Sequence, residues 1–413
     1  MLSSTSKGDS HLNCFEDDSG DLLLKSALLF GPNASGKSNF IKSAYVIRDL
    51  VMNSIANVEE GTIRKFVPFL LNKKTITEPS EVEISFYSEH TKYRYGVSVT
   101  NGKVIEEWLY YTPEKRETLL YHRTEQTINI NKAGFSEGSR FVKNNEVQQT
   151  REDVPFLSVV ASFNGEHATR VLKWFKKLHI ISGSNDHGFK AFTINLLEKD
   201  SDFKTWILGF LLNFQIHGIN IKESPVENHI NSIKAPIEVA QQFIESLKSF
   251  AKPIKTADIF VVKRMNGVEV EFPIAMESEG TKKIIYMLGP IYDSMKNGNV
   301  LLVDEMDSKF HTLLTKYVFS IFHKESNFKS QIVAAVQDVN LMDPACFRRD
   351  QIWFVDKDAE GGSSLYSLVE YKEKNRAIRR HFGEEYLSGA YGAIPLFDNH
   401  EDIEKLMESK DGK

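Results

Sequence analysis

The sequence predicts an α/β protein with three parts: an N-terminal lobe carrying an antiparallel β meander, a helical insert, and a C-terminal lobe built on a parallel sheet. Three observations carry that prediction. A glycine-rich loop follows an apolar strand near residue 31, strands with period-two alternation fill residues 81–111, and short apolar strands alternate with helices after residue 279.

Taken in chain order, Leu28-Leu-Phe reads as an apolar strand, and the residues after Lys37, with Ile41, Ala44 and Tyr45 recurring, read as a helix. Glu81-Val-Glu-Ile-Ser-Phe-Tyr and Tyr93-Arg-Tyr-Gly-Val-Ser-Val alternate, and Thr100-Asn-Gly-Lys turns the chain into Val104-Ile-Glu-Glu-Trp-Leu-Tyr-Tyr. The polar stretch from Arg123 to Asp153 is expected to be a loop or boundary. From Phe156 the pattern turns helical, through Val159, Val160, Phe163, Val171, Leu172, Trp174, Phe175 and Leu178, with a further helix over Ala240 to Phe250. No heptad repeat is sustained, so a compact insert is expected rather than a coiled-coil arm. Strands return at Ala257-Asp-Ile-Phe-Val-Val-Lys and Val268-Glu-Val-Glu-Phe, and a helix runs from near Glu279 to near Gly298. The strand Val300-Leu-Leu-Val, a helix from Leu313 to His323, and the strands Gln331-Ile-Val-Ala-Ala-Val and Gln351-Ile-Trp-Phe-Val complete the parallel lobe. The expected parts are residues 1–130, 131–255 and 256–413.

Composition narrows the function classes. A chain of 413 residues, 41% hydrophobic and 26% charged, can bury a substantial core without staples. Its two cysteines, Cys14 and Cys346, lie too far apart in sequence for a disulfide framework or a Cys-based zinc site. The net charge of -5 gives no global positive field for nucleic acid, so any DNA contact must be local. The apolar run Trp206 to Leu212 is far shorter than the ~20 residues a bilayer requires, and the N-terminus lacks a secretory signal, so a cytoplasmic protein is expected.

The chemistry is carried by motifs. Gly31-Pro32-Asn33-Ala34-Ser35-Gly36-Lys37-Ser38 fits G-x-x-x-x-G-K-[ST] between strand and helix, so backbone N–H groups from Gly31 to Asn39 are expected to cradle phosphates. Lys37 would reach the terminal phosphates and Ser38 would offer its hydroxyl to Mg2+, which makes ATP with Mg2+ the expected cofactor pair. The strand Val300–Val303 breaks into Asp304 and Glu305: Asp304 is placed to orient the metal and Glu305 to polarise the attacking water. Upstream, Ser278-Glu-Gly280-Thr-Lys-Lys opens an amphipathic helix, where Ser278 is at least an N-cap. Downstream lie Asp307 and His311, and Val333-Ala-Ala-Val-Gln337-Asp338 ends the next strand. Asp356-Lys-Asp358 has the form of a nuclease Asp-x-Asp but reads better as a hairpin turn. Lys372, Arg376, Arg379 and Arg380 sit at helical spacing, either facing nucleic-acid phosphates or forming a solvated face.

A Ser-x-Gly helix start followed by an apolar strand ending in Asp-Glu is the layout of an ABC-type ATPase signature followed by Walker B. The chain resembles the ABC-class, SMC-like ATPases of the abortive-infection and OLD-like group, and more closely the AbiL/RloA-type ATP-binding proteins. The resemblance rests on Leu24 to Ser38, Phe156-Leu-Ser-Val-Val-Ala-Ser-Phe-Asn, Ser278-Glu-Gly-Thr-Lys-Lys, Val303-Asp-Glu-Met-Asp, Arg348-Arg-Asp-Gln-Ile-Trp-Phe-Val and Tyr386-Leu-Ser-Gly-Ala-Tyr-Gly-Ala-Ile-Pro. It implies a homodimer with ATP sandwiched between subunits, in which Ser278 and Gly280 of one copy and Asp307 across the seam complete the other copy's site. It also implies a role in antiphage defence beside a separately encoded effector such as a Toprim-like nuclease. Gln337 stands where such enzymes carry a switch histidine, and glutamine can hydrogen-bond a phosphate but not carry charge, so slower hydrolysis is expected, with His311 a candidate to compensate. Family members carry further strands before the phosphate loop, so an incomplete sheet is expected, and Gln148 and Gln149 are the candidates for a Q-loop glutamine. Two alternatives stand beside this reading: a hydrolysis-poor nucleotide switch acting as a scaffold, and a DNA-repair ATPase of the SMC/RecF kind.

Overall fold

A computed structural model describes residues 11–17, 20–56, 62–182, 187–225, 255–327, 329–371 and 381–395. The helix expected over Ala240 to Phe250 and the basic residues Lys372, Arg376, Arg379 and Arg380 lie outside these. Two compact units are present, one within Met1–Gly183 and Asn297–Lys413, the other within Ser184–Lys296.

The first unit holds a six-stranded sheet. Its spatial order is Leu178–Ile181, Val300–Val303, Gln331–Ala335, Ser26–Phe30, Ile352–Lys357 and Ser363–Ser367. The first five strands are parallel and the last is antiparallel. Parallel strands covered on both faces lose the polar alternation of half-exposed ones, and Ser26–Phe30 is buried at every position. Ala27, Leu29, Leu302, Val333 and Val355 pack on one face against Ile41 of the helix Lys37–Asn53. The residues Asp358 to Gly362 form the turn of a hairpin between the last two strands, in agreement with the sequence. Ahead of the phosphate loop, Cys14–Glu16 pairs antiparallel with Leu22–Leu24.

A seven-stranded antiparallel sheet occupies the rest of this unit, in the order Ser80–Ser88, Thr91–Thr100, Lys103–Thr112, Thr118–Thr124, Thr127–Ile130, Glu146–Val147 and Val142–Lys143. Three of its turns are two-residue loops with both residues left-handed: Glu89-His90, Asn101-Gly102 and Asn144-Asn145. That geometry matches the twist of the flanking strands. Phe86, Tyr95, Val97 and Leu109 pack on Ile47 and Leu50 of the phosphate-loop helix and on Val171 and Phe175 of the helix Glu166–Lys177. Phe163, expected on the buried helical stripe, is instead 52% exposed at the C-cap of Phe156–Ser162.

The polar stretch Arg123 to Asp153 is not a loop. It ends one strand and supplies three more, anchored by buried Ile128, Phe135, Phe141 and Val147, and the Arg123 side chain is fully buried. Its Nη1 donates to Val154 O at 2.8 Å, its Nε to Glu125 O at 2.6 Å, and Nη1 stands 3.6 Å from Glu107 Oε2. Glu107 is equally buried: Oε1 accepts from Tyr121 Oη at 2.7 Å, Tyr95 Oη at 3.2 Å and Leu157 N at 3.0 Å, and Oε2 accepts from Phe156 N at 2.7 Å. One carboxylate therefore joins three strands to the first turn of the helix Phe156–Ser162. Burial, followed by the Glu107 charge, pushes both phenols well above the ordinary tyrosine value.

At the amino end of the parallel sheet, His323 Nε2 lies 2.8 Å from Ser26 Oγ, which also accepts from Gln351 Nε2 at 2.7 Å. Burial, and secondarily the Lys25 charge, lowers the imidazole to about 4. A depressed histidine favours the neutral folded state, so its contribution is intact above the unfolded value near 6.5 and is lost as pH falls toward about 4. Across that window the linkage is worth about 3 kcal/mol. Urea unfolding at pH 7 and pH 4.5 is expected to show this loss in wild type and a flatter profile in His323→Gln; parallel profiles would show that His323 does not carry it.

The second unit packs the helices His187–Lys199 and Ser201–Leu211 with the three-stranded antiparallel sheet Gly218–Pro225, Lys255–Met265 and Val268–Pro273, and with the long helix Glu279–Asn297. Asp200 caps Ser201–Leu211 through the N–H groups of Asp202 and Phe203, both at 3.0 Å, and Lys296 Nζ reaches its other oxygen at 2.8 Å. Pro290 lies inside the long helix and has no N–H to offer Tyr286 O, one turn earlier. Thr193 Oγ1 donates to that carbonyl instead, at 2.6 Å. The hydroxyl fits because residue 289 is glycine: an added Cβ would fall 2.3 Å from it.

Candidate functional site

The parallel strands Ser26–Phe30, Val300–Val303 and Gln331–Ala335 all run toward one edge of their sheet, so the loops that follow them gather there. These loops are Gly31 to Gly36, Asp304 to Phe310, and Val336 to Asp338. The structure thereby brings together the phosphate-loop residues, Asp304, Glu305, Asp307 and Gln337.

The phosphate loop is closed to side chains. An added Cβ at Gly31 would fall 2.3 Å from Val355 O, and one at Gly36 would fall 2.6 Å from Ser363 Oγ. Gly36 has φ 112° and Ala34 φ 63°, and the helix Lys37–Asn53 starts directly after them. That helix has neither a side-chain cap nor an acidic residue in its first turn, which leaves its N–H groups and positive end to an anion. Pro32, Ser38 and Gly31 are partly exposed, and Asn33, Ala34 and Asn39 are exposed. Ser35 Oγ is buried without a hydrogen-bond partner.

The Lys37 side chain is buried, with Nζ donating to Gly31 O at 2.6 Å and Pro32 O at 3.0 Å. Burial lowers its ammonium below the usual lysine value, opposed in turn by the charges of Asp304, Asp307 and Glu305. One cation faces three carboxylates across the sheet edge.

Asp304 is buried and its N–H donates to Ile181 O at 2.8 Å. Glu305 is exposed and holds φ 50°, a left-handed conformation unusual for this residue type. The neighbouring backbone fixes it there: Met306 N donates to Ala335 O at 3.0 Å and Ser308 N to Glu305 O at 3.2 Å. Asp307 Oδ2 accepts from Gln337 N at 2.7 Å and from Asp338 N at 2.6 Å, so the Walker B loop grips the Gln337 loop within one chain. Sequence reasoning missed this role because the pairing depends on how two loops meet. His311, considered as a sensor, caps the helix Thr312–Phe322, its Nδ1 accepting from Leu313 N at 3.1 Å.

Ser278 and Gly280 belong to the second unit. Ser278 Oγ accepts from Thr281 N at 3.1 Å and lies 2.9 Å from Thr281 Oγ1, while Lys282 N donates to Ser278 O at 2.9 Å. Ser278 is thus the N-cap that its sequence context suggested. Gln148 and Gln149 follow the strand Glu146–Val147, and the Gln148 side-chain amide donates to Glu146 O at 3.3 Å.

Ser38 and Asp304 offer a hydroxyl and a carboxylate, donors of the kind magnesium takes. Among the described residues no cluster of three or more His, Cys, Asp or Glu forms a self-sufficient metal site. One hydroxyl, one carboxylate and nucleotide oxygens are the ligands magnesium takes in phosphate chemistry.

Residues 26–343 match the family model described as "AAA domain, putative AbiEii toxin, Type IV TA system". No curated protein matches the sequence. Among solved structures, the chain is similar to an SmcHead bound to the C-winged helix domain of ScpA, at 14% identity and TM-score 0.39, over 84% of this chain and 92% of that one. It is also similar to the SMC head domain from Thermotoga maritima, at 14% identity and TM-score 0.33, over 86% and 95% of the two chains. The third is an Smc head domain with an extended coiled coil bound to the C-terminal domain of ScpA derived from Pyrococcus furiosus, at 13% identity and TM-score 0.30, over 84% and 91%.

Proposed function

The chain belongs to this AAA-domain family, and from that premise we propose that it binds and hydrolyses ATP. The observation that carries the reading is the gathering, at one edge of the parallel sheet, of a loop whose glycines admit no side chain, the buried Lys37 that follows it, and the buried Asp304 that ends the neighbouring strand Val300–Val303. The loop from Gly31 to Asn39 would cradle the phosphates with the backbone N–H groups of its residues other than Pro32, and Lys37 would turn from the loop carbonyls to the terminal phosphate oxygens. Ser38 and Asp304 would hold a magnesium ion, whose charge neutralises phosphate oxygens. Glu305 would accept a proton from the attacking water, and Gln337 would donate a side-chain N–H to the phosphate.

The same reading extends to assembly and biology. Ser278 and Gly280 form a signature-type helix start that would act on the nucleotide of a second copy, giving a homodimer with ATP sandwiched and Asp307 near the seam. The resemblance to AbiL/RloA-type proteins supports a cytoplasmic sensor or regulatory subunit of an antiphage, abortive-infection system, working with a separately encoded effector such as a Toprim-like nuclease. No described helix is long and apolar enough to cross a membrane.

The decisive measurement is the steady-state ATPase rate of the purified chain over a concentration series, beside Lys37→Ala. A rate that rises faster than linearly with protein and vanishes in the variant is expected. A second reading, a nucleotide switch with little turnover, is favoured by Gln337 and would be the outcome if nucleotide binds without hydrolysis and is lost only in Lys37→Ala. The defence role is tested by phage plating on cells expressing the chain with its neighbouring effector gene, and plating unchanged from control would overturn it.

A further inference from the structure

We propose that the segment Phe382 to Ala393 is a positioning clamp that fixes the phosphate loop relative to the Gln337 loop. This rests on the ATPase reading above for its kinetic consequence, but its geometry stands separately.

The clamp touches both loops. Tyr386, in the short helix Phe382–Leu387, packs its ring 6.2 Å from that of Phe30, the last residue of the strand feeding the phosphate loop. It also stacks 5.4 Å from Phe354, one residue before the Val355 carbonyl that abuts Gly31. At the start of the same helix, Gly383 lies against the backbone of Val339: an added Cβ would fall 2.9 Å from Val339 O. Val339 begins the turn Val339–Leu341, directly after Gln337 and Asp338, whose N–H groups Asp307 holds. A continuous packed path thus runs from the Walker B loop through the Gln337 loop and the helix to the base of the phosphate loop.

The segment is built to be rigid. Tyr386 Oη donates to Ala393 O at 2.6 Å, closing the turn on itself. Tyr391 O accepts from both Tyr366 Oη and Tyr371 Oη at 2.7 Å, and Tyr391 Oη donates to the Glu385 carboxylate. Gly392 at φ 65° and Ala393 at φ 51° make the tight turn, and an added Cβ at Gly392 would fall 3.0 Å from Tyr366 Oη. The adjacent strands share ladder bonds as far as Leu29 and Ala335, with Val336 N donating to Leu29 O. Beyond that point the clamp backs both loops, so a displacement of one is passed to the other.

Gly383→Ala separates positioning from stability. Alanine favours the helix, yet its methyl must push Val339 O away. The expected result is a loss of kcat on the order of 10- to 100-fold, with KM for ATP and the melting temperature close to wild type. Faster amide exchange at residues 336–341, with the antiparallel sheet unchanged, should accompany it. Tyr386→Phe keeps the ring and should retain wild-type KM, whereas Tyr386→Ala should raise KM. Wild-type kcat and wild-type exchange in Gly383→Ala would overturn the clamp, as would a fall in melting temperature with no kinetic change. If the wild-type chain bound no ATP, the ATPase reading would fail while the exchange measurement still decided the clamp.

Discussion

Glu305→Gln will lower ATP turnover by about 10²- to 10⁴-fold, the usual contribution of a positioned proton acceptor, while leaving ATP affinity within a few-fold of wild type. Glutamine keeps the size and backbone of the site and removes only the ability to take a proton. The backbone there is held from both sides, by Asp304 N on Ile181 O and Met306 N on Ala335 O, so the variant should keep its left-handed turn. Single-turnover hydrolysis and equilibrium binding of ATP separate the two effects. Turnover equal to wild type would remove Glu305 from the chemistry and favour the nucleotide-switch reading. Loss of binding would instead mean that Glu305 acts on the ground state, as Lys37 is expected to.

Glu107→Ala will destabilise the antiparallel lobe by about 4 kcal/mol or more. Its carboxylate accepts from two phenols and two helix N–H groups, and each buried donor left without a partner costs about 1–3 kcal/mol. Arg123→Met leaves those four bonds but strips the buried carboxylate of its opposite charge, and about 3 kcal/mol is expected, the lower end for broken buried pairs. The neighbouring Glu106, paired with His122 at 3.4 Å on the surface, supplies the control. Glu106→Ala should change stability by no more than about 0.5 kcal/mol. Chemical unfolding midpoints compare the three, and a Glu107→Ala loss as small as that of Glu106→Ala would show that the carboxylate is not the joint between sheet and helix.

The contrast between these residues explains what could be read in advance. Gly31 to Ser38 and the strand ending at Asp304 were legible because their chemistry is local: a strand, a turn that excludes side chains, and a helix start lie within a dozen residues. The alternating strands from Ser80 to Thr112 were legible for the same reason. Glu107 was not, since one acidic residue in an alternating strand looks the same whether it faces water or a buried arginine. The polar run from Arg123 to Asp153 misled because its strands are short and its few apolar anchors are widely spaced, while Arg123 reads as a surface residue until its carbonyl partners are seen. Asp307 gripping Gln337, and Gly383 against Val339, depend on loops meeting through the fold, which spacing along the chain does not encode.

Pro290, inside the helix Glu279–Asn297, constrains how its neighbours can change in descent. Because the Thr193 hydroxyl supplies the bond that Pro290 cannot, and Gly289 leaves room for it, these three positions are expected to change together. A lineage that loses the hydroxyl gives up its bond to the Tyr286 carbonyl, and one that fills the glycine displaces the threonine. One that restores an ordinary residue at 290 frees position 193 to drift. Homologues should therefore fall into two camps at these sites, with few intermediates between them.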